Sequence, residues 1–141
     1  MKLNNKGFSF VEVLAVIAIL GILSSAAIIG VSRYKNEAVN KDYEALAKSS
    51  YNAMEEYIMA NPYEKEVNLR ELEENKFLSN RKDPASKTLN CEGSVVFEPK
   101  NGSDNEIDEG TYKVYLCCLT YKKIFTYPEG KIENLTDESK C

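Results

Sequence analysis

Glu12 is the residue whose position in this sequence most clearly requires a chemical partner, because it is the one charged residue in the apolar run from Phe8 to Val31. A carboxylate within an apolar helix of membrane length costs about 2.5 to 3.5 kcal/mol. If the chain were cut between Gly7 and Phe8, a new α-amino group would lie one helical turn before Glu12. Stacked copies could pair the Glu12 of one chain with the amine of the next. The alternative is that Glu12 only extends to the lipid headgroups.

Four cysteines form the second group with chemical potential: Cys91, Cys117, Cys118 and Cys141. Their even number predicts two disulfides in an oxidising compartment. A bridge between the adjacent Cys117 and Cys118 would be strained, so Cys91 and Cys141 each pair with one of these two, in either order. We favour Cys91 with Cys118. Closing a loop of roughly two to three dozen residues would stabilise the fold by about 3 to 4 kcal/mol.

Metal binding is the alternative for two clusters, and the spacing favours neither. A zinc site made from the four cysteines would lack the usual C-x-x-C pair. Asp104, Glu106, Asp108 and Glu109 crowd one loop and could hold calcium. However, an EF-hand loop starting at Asp104 needs glycine and glutamate where this chain has Glu109 and Tyr115. We therefore interpret Asp104 to Glu109 as solvated surface and predict no metal and no cofactor.

The composition argues against several classes of function. The chain has 141 residues, with 18 Lys plus Arg against 22 Asp plus Glu and no histidine. Without histidine there is no Ser-His or Cys-His catalytic pair, and no GxxxxGK[ST] phosphate loop occurs. A net charge of -4 and a pI near 5.0 argue against a nucleic acid partner for the C-terminal part of the chain. The sequence therefore predicts a protein that is not an enzyme.

A short polar leader and a long apolar helix are the elements that would position the carboxylate. The leader carries Lys2 and Lys6 and no acid. Phe8 to Val31 would form a helix about 36 Å long, which is enough to cross a hydrocarbon core of about 30 Å. Because both lysines lie on one side, the N-terminus is expected in the cytoplasm and everything after Arg33 outside.

Two other interpretations of this segment stay open. The residues before Ala27 look like the small-residue end of an ordinary secretory signal, and cleavage near Ala26 would release a soluble extracellular protein. That interpretation gives no role to Gly7 or Glu12. A plain single-span anchor explains the length of the apolar segment but does not explain Glu12.

After Val31 the apolar residues recur at three- and four-residue intervals, which is typical of an amphipathic helix. They are Tyr34, Ala38, Val39, Tyr43, Leu46, Ala47, Ser50, Tyr51, Met54, Tyr57 and Ile58. No proline or glycine interrupts this stretch, so we predict one continuous helix from about Phe8 to Ala60. Asn61-Pro62 would end it, because proline lacks the amide hydrogen.

Beyond Pro62 the sequence predicts a short helix and a sheet. The helix is expected from Asn68 to Leu78, with Asn68 as N-cap and Glu71 at the third helical position. Strand-type alternation covers Ser94 to Glu98, Thr111 to about Thr120, and Lys123 to Tyr127. The expected fold class is therefore α+β, with a long N-terminal α-helix, transmembrane in its first half, packed against a small antiparallel β-sheet.

The N-terminal residues also carry a family resemblance. Lys6-Gly7, followed by Phe8-Ser9-Phe10-Val11-Glu12 and the apolar run, resembles the prepilin leader and N-terminal helix of type IV pilins and pseudopilins. The resemblance implies cleavage after Gly7, N-methylation of Phe8, and a filament in which Glu12 neutralises the N-terminus of a neighbour. It divides the chain into a leader at 1–7, a transmembrane and assembly helix at 8–31, and an extracellular pilin-like region at 32–141.

The same resemblance implies partners and a location. The partners are further copies of the chain, a prepilin peptidase, an assembly platform with its ATPase, and the membrane. The chain would be a single-pass membrane protein before assembly and part of a surface filament afterwards. Major pilin, minor pilin, and pseudopilin of type II secretion or competence DNA uptake all stay open. One departure is Ile29, which occupies the position of the usual helix-kinking proline, and the following Gly30 would be a weaker hinge.

Overall fold

The computed structural model describes residues 7–100 and 110–141. The leader lysines, Lys2 and Lys6, lie outside the described residues, as does the acidic loop from Asp104 to Glu109 that was considered for calcium. The chain divides into two compact units, residues 1–38 and residues 39–141.

The first unit contains the beginning of helix α1, which as a whole spans Phe10–Ala60. Gly7, Phe8 and Ser9 precede the helix, so its predicted start at Phe8 was slightly early. The backbone stays helical through Gly30. An 18-residue window of α1 has a mean hydropathy of 2.6 and none of it is buried, so the helix is long and apolar enough to cross a membrane.

The second unit, residues 39–141, is called the head below. One face of the C-terminal part of α1 is buried in it, at Tyr43, Leu46, Ala47, Ser50, Ala53, Met54, Tyr57 and Ile58. The apolar side chains among them share one core with Val95, Val114 and Leu116 of the sheet. Burying a large aliphatic side chain contributes about 1.5 to 3 kcal/mol, so this face accounts for the helix packing on the sheet. The predicted α+β fold is confirmed.

The sheet has five antiparallel strands in sequence order. They are β1 Glu66–Asn68, β2 Glu92–Pro99, β3 Gly110–Cys117, β4 Lys122–Tyr127 and β5 Lys131–Asn134. The β2 and β3 strands pair from Glu92 opposite Cys117 to Pro99 opposite Gly110. A 3-10 helix at Glu138–Lys140 follows β5.

The two edge strands and one strand end differ from the prediction. The β1 strand has three residues, which are too few for an alternating pattern to be recognised from sequence, and all four residues of β5 are exposed. The β3 strand ends at Cys117 rather than at Thr120. The chain turns there because the N–H of Cys118 donates to the carbonyl oxygen of Tyr121 at 2.9 Å.

The short helix α2 spans Leu69–Glu74 and ends well before the predicted Leu78. Lys76 adopts a positive φ of 66°, which cannot continue a helix. The N–H groups of Phe77 and Leu78 both donate to the carbonyl oxygen of Leu72. These bonds satisfy the Leu72 carbonyl group near the end of the helix and fold Phe77 and Leu78 back onto α2.

The start of α2 agrees with the prediction in position but not in hydrogen bonding. Asn68 is the N-cap residue and Glu71 is the third helical residue, but the Asn68 side chain makes no cap hydrogen bond. Asn68 is the last residue of β1, and its extended backbone serves the strand. Glu71 accepts a hydrogen bond from the Tyr57 hydroxyl at 3.0 Å instead. Its carboxylate therefore joins α2 to α1.

Gly93 in β2 is a position where a side chain does not fit. Its φ is +129°, and a Cβ atom there would meet the carbonyl oxygen of Tyr115 at 1.9 Å. Gly93→Ala is therefore expected to destabilise the head by about 2 to 3 kcal/mol. Urea unfolding of the detergent-solubilised chain measures this change. Gly21→Ala is the matched control, since a Cβ there meets no described atom within 4 Å. Equal unfolding midpoints for the two variants would disprove the clash.

Candidate processing and assembly site

The bond between Gly7 and Phe8 lies in exposed, non-helical backbone. The Phe8 side chain is 86% exposed. A Cβ atom on Gly7 would meet no described atom within 4 Å. Proteases act on accessible chain that can adopt an extended conformation, which a helix interior does not provide. The geometry therefore leaves this bond open to a peptidase.

Glu12 caps the beginning of helix α1. Its Oε2 accepts a hydrogen bond from the backbone N–H of Ser9 at 2.9 Å. Ser9 immediately precedes the helix and Glu12 is the third helical residue, so this bond is one half of a capping box. The contact was not anticipated from the sequence, although the S-x-x-E spacing signals it. Glu12 is exposed, and its other oxygen, Oε1, has no hydrogen-bond partner among the described residues.

The cap places the carboxylate where a new positive charge would appear. Cleavage before Phe8 would put the α-amino group one residue from the Ser9 N–H that Glu12 already binds. The positive end of the helix dipole also favours a carboxylate at this position. Glu12 can therefore accept a cation through Oε1 while Oε2 keeps its backbone bond.

The described surface between residues 8 and 31 is largely apolar and exposed. The exposed large side chains are Phe8, Phe10, Val11, Val13, Leu14, Val16, Ile17, Ile19, Leu20, Ile22, Leu23, Ile28 and Val31. Among the few polar groups, the Ser24 hydroxyl donates to the Leu20 carbonyl oxygen at 2.7 Å and the Ser25 hydroxyl to the Ile22 carbonyl oxygen at 2.8 Å. Satisfied hydroxyls suit a lipid or protein interior. An exposed apolar surface of this extent marks a membrane or protein interaction site.

A family profile described as the prokaryotic N-terminal methylation motif matches residues 2–28. The chain carries the leader signature of type IV pilins and pseudopilins. This motif supports a type IV pilin-like or pseudopilin protein and indicates a structural subunit rather than an enzyme. No curated protein and no solved structure matches the chain. The pilin-type motif covers the leader and the first part of α1, so the head has to be interpreted from its own residues.

In the head, the cysteines form two disulfides, Cys91–Cys118 and Cys117–Cys141. The sequence separations are 27 and 24 residues. Closing a loop of that length stabilises a fold by about 3 to 4 kcal/mol in the chain-entropy model. The second bond ties the last residue to the end of β3. With all four sulfurs paired, no thiolate is left for the zinc site considered above.

Asp83 joins three segments of the head. It is only 1% exposed. Its Oδ1 accepts from the Tyr43 hydroxyl at 2.7 Å and from the Ala85 N–H at 2.8 Å, and its Oδ2 accepts from the Leu119 N–H at 3.2 Å. Burial alone would raise the pKa of Asp83, but these hydrogen bonds outweigh it and hold the pKa below the ordinary aspartate value. The carboxylate therefore connects α1, the loop after α2 and the loop after β3.

Asp83 also lies close to a disulfide without forming a metal site with it. One of its oxygens and the sulfurs of Cys91 and Cys118 lie within 4.8 Å of one another. Because the two sulfurs are bonded to each other, the group offers a single carboxylate. Its role is to hold the loops that carry the disulfide.

Arg81 fixes the same loop from its other side. Its side chain is 9% exposed, and its Nε lies 2.9 Å from Glu73 Oε2, while its Nη1 lies 2.7 Å from Glu92 Oε1. Nη1 also donates to the Cys91 carbonyl oxygen at 3.0 Å. Burial opposes the charge, yet the two carboxylates raise the pKa of Arg81. The loop between α2 and β2 is therefore anchored by ionic contacts.

Proposed function

We propose that the protein is a structural subunit of a type IV pilus or a related filament, processed after Gly7 and N-methylated on Phe8. The observation that carries this proposal is the methylation motif at residues 2–28, together with the exposed bond that it marks. The apolar helix that follows supports membrane anchoring before assembly. The chain would be a single-pass membrane protein first and part of a surface filament later.

Assembly in this proposal depends on the apolar helix and on Glu12. Cleavage removes Lys2 and Lys6, so the net charge falls from -4 to -6. Subunits with that charge repel one another, and burial of the apolar helix has to drive their association. Glu12 then pairs with the α-amino group of a neighbouring subunit. Within the filament core this pair is shielded from water. A subunit bound in a displaced register would therefore leave Glu12 or the α-amino group buried without a partner, which is costly.

The proposed partners follow from the same steps. A prepilin peptidase cuts and methylates the chain, and an assembly platform with its ATPase moves the processed subunit out of the membrane. A pseudopilin of a type II secretion or competence DNA-uptake machine is the second candidate, since the motif is shared by both classes. In either case the head supplies the surface of the assembly.

Gly7→Val tests the processing step directly. A β-branched side chain beside the scissile bond restricts the backbone that the peptidase must bind, so we expect processing to be at least about tenfold slower. Co-expression with a prepilin peptidase, followed by intact-mass analysis of the membrane fraction, gives the ratio of uncut to cut chain. Gly21→Ala should be cut like the unaltered chain. Complete cleavage of Gly7→Val would refute the assignment of this bond.

A further inference from the structure

We propose that Arg33, Tyr34 and Lys35 form an interfacial clamp that binds anionic phospholipid headgroups at the membrane face opposite the leader. The clamp denotes these three residues throughout. This inference rests on the membrane anchoring proposed above and adds the register of the helix and the chemistry of the lipid that holds it. All three side chains lie in the first unit and are exposed.

The spacing along α1 supports this placement. Glu12 and Arg33 are both in α1, and a rise of 1.5 Å per residue separates them by about 32 Å along the helix. The hydrocarbon core of a bilayer is about 30 Å thick. When Glu12 lies at one interface, Arg33 therefore lies at the other. Ser32, just before the clamp, has its hydroxyl satisfied by the Ile28 carbonyl oxygen at 3.1 Å, so the polar boundary begins at Arg33.

The distribution of the clamp around the helix favours lipid over a protein partner. Successive helical residues are about 100° apart, so Arg33 and Lys35 point to nearly opposite sides with Tyr34 between them. A partner helix contacts residues spaced three or four apart, which share one face. The three side chains of the clamp therefore span about 200° of the helix circumference. This distribution matches a headgroup layer, which surrounds the helix on all sides. Tyr34 is 76% exposed, and tyrosine is enriched at this depth of the membrane.

The charges of the clamp are available for phosphate. Arg33 and Lys35 make no hydrogen bond and no ion pair with any residue in 7–100 or 110–141. A guanidinium group binds phosphate with two parallel hydrogen bonds, and an ammonium group binds it as a compact charge. Anionic lipids attract basic residues next to a membrane span. The geometry and the charge therefore point to the same partner.

Solid-state NMR on the full-length chain tests the contact. The chain, with its arginine Cζ atoms ¹³C-labelled, is reconstituted in phosphate-free buffer into vesicles of phosphatidylcholine with or without phosphatidylglycerol. Besides Arg33, the chain has two arginines, Arg70 and Arg81, and both are in the head. We expect the Arg33 signal, assigned with Arg33→Gln, to be dephased by lipid ³¹P, and more strongly when phosphatidylglycerol is present. The two head arginines should show no dephasing.

Each other outcome overturns a defined part of the proposal. If the chain floats with the vesicles but Arg33 shows no dephasing, the clamp is wrong and the anchoring stands. Equal dephasing in both lipid mixtures overturns the preference for anionic headgroups. A chain that does not float with the vesicles overturns the anchoring as well.

A variant experiment gives an independent readout. Amide hydrogen exchange over residues 30–36 should be several-fold slower in the phosphatidylglycerol vesicles than in phosphatidylcholine alone. The double variant Arg33→Gln, Lys35→Gln should lose this difference. Lys82→Gln, which changes an exposed lysine of the head, should retain it. A difference that persists in the double variant would show that the clamp does not contact the lipid.

Discussion

Replacing Glu12 by alanine is expected to abolish filaments while leaving the chain inserted in the membrane and cleaved after Gly7. The carboxylate is exposed at the start of α1, so the isolated chain loses only its bond to Ser9 N–H. In the proposed filament, the same carboxylate neutralises a neighbour's amine. Leaving the neighbour's α-amino group without a partner in a filament core that excludes water costs about 3 to 5 kcal/mol. Each subunit contact should therefore be at least about 100-fold weaker.

Two further substitutions separate pairing from capping. Glu12→Gln keeps a side-chain oxygen that can accept from Ser9 N–H but removes the charge, so it should fail to assemble as well. Glu56→Gln alters an exposed glutamate of the head and should leave assembly unchanged. Filaments sheared from cells are quantified against membrane-bound chain of verified mass. Normal filament yield from either Glu12 variant would rule out the charge pairing.

Asp83→Ala is expected to destabilise the head by about 2 to 4 kcal/mol, because it removes the acceptor of one buried donor and of several part-buried ones. The buried donor is the Tyr43 hydroxyl, and the part-buried donors are the N–H groups of Ala85, Ser86 and Leu119. Tyr43→Phe removes one of the same hydrogen bonds and should cost about 1.5 to 2 kcal/mol. Urea unfolding of the oxidised, detergent-solubilised chain measures both. A smaller loss for Asp83→Ala than for Tyr43→Phe would exclude Asp83 as the centre of this network.

The same carboxylate predicts part of the acid dependence of the head. The pKa of Asp83 is lower in the folded chain than in the unfolded one, because the folded carboxylate accepts these hydrogen bonds. Its contribution to stability is therefore complete above the unfolded value of about 3.9 and is lost as the pH falls through the lower folded pKa. Asp83→Asn cannot titrate, so its stability should fall less steeply below about pH 4. Parallel curves for the two chains in that range would contradict this assignment.

The features that the sequence predicts well are those with a local physical signal. The apolar run and the Asn61-Pro62 break define α1 almost to the residue at its C-terminal end. The three- and four-residue spacing identifies most of the face that packs in the head. Tyr34 is the instructive exception, because it matches the periodicity but is 76% exposed. Its position next to the membrane-length segment, rather than the periodicity, explains why it is not in the core.

The features that could not be predicted depend on contacts between distant residues. Asp83 signals only a turn before Pro84, and its burial arises from Tyr43 on α1 and Leu119 after β3. The edge strand β5 is exposed at every position and pairs only because β4 lies beside it. The disulfide connectivity could be predicted only in part. The sequence left two connectivities open and favoured Cys91 with Cys118, and the structure contains Cys91–Cys118 with Cys117–Cys141.

The proposed function requires that the chain is cut before Phe8 and methylated there. Intact-mass and N-terminal peptide analysis of the mature protein, taken from its native membrane, tests it most directly. We expect Phe8 to be the first residue and its α-amino group to carry a methyl group. A mature chain starting near Ala27 would instead indicate an ordinary secreted protein, and an uncut chain starting at Met1 would indicate a simple membrane anchor. Either of these results would contradict the proposed processing.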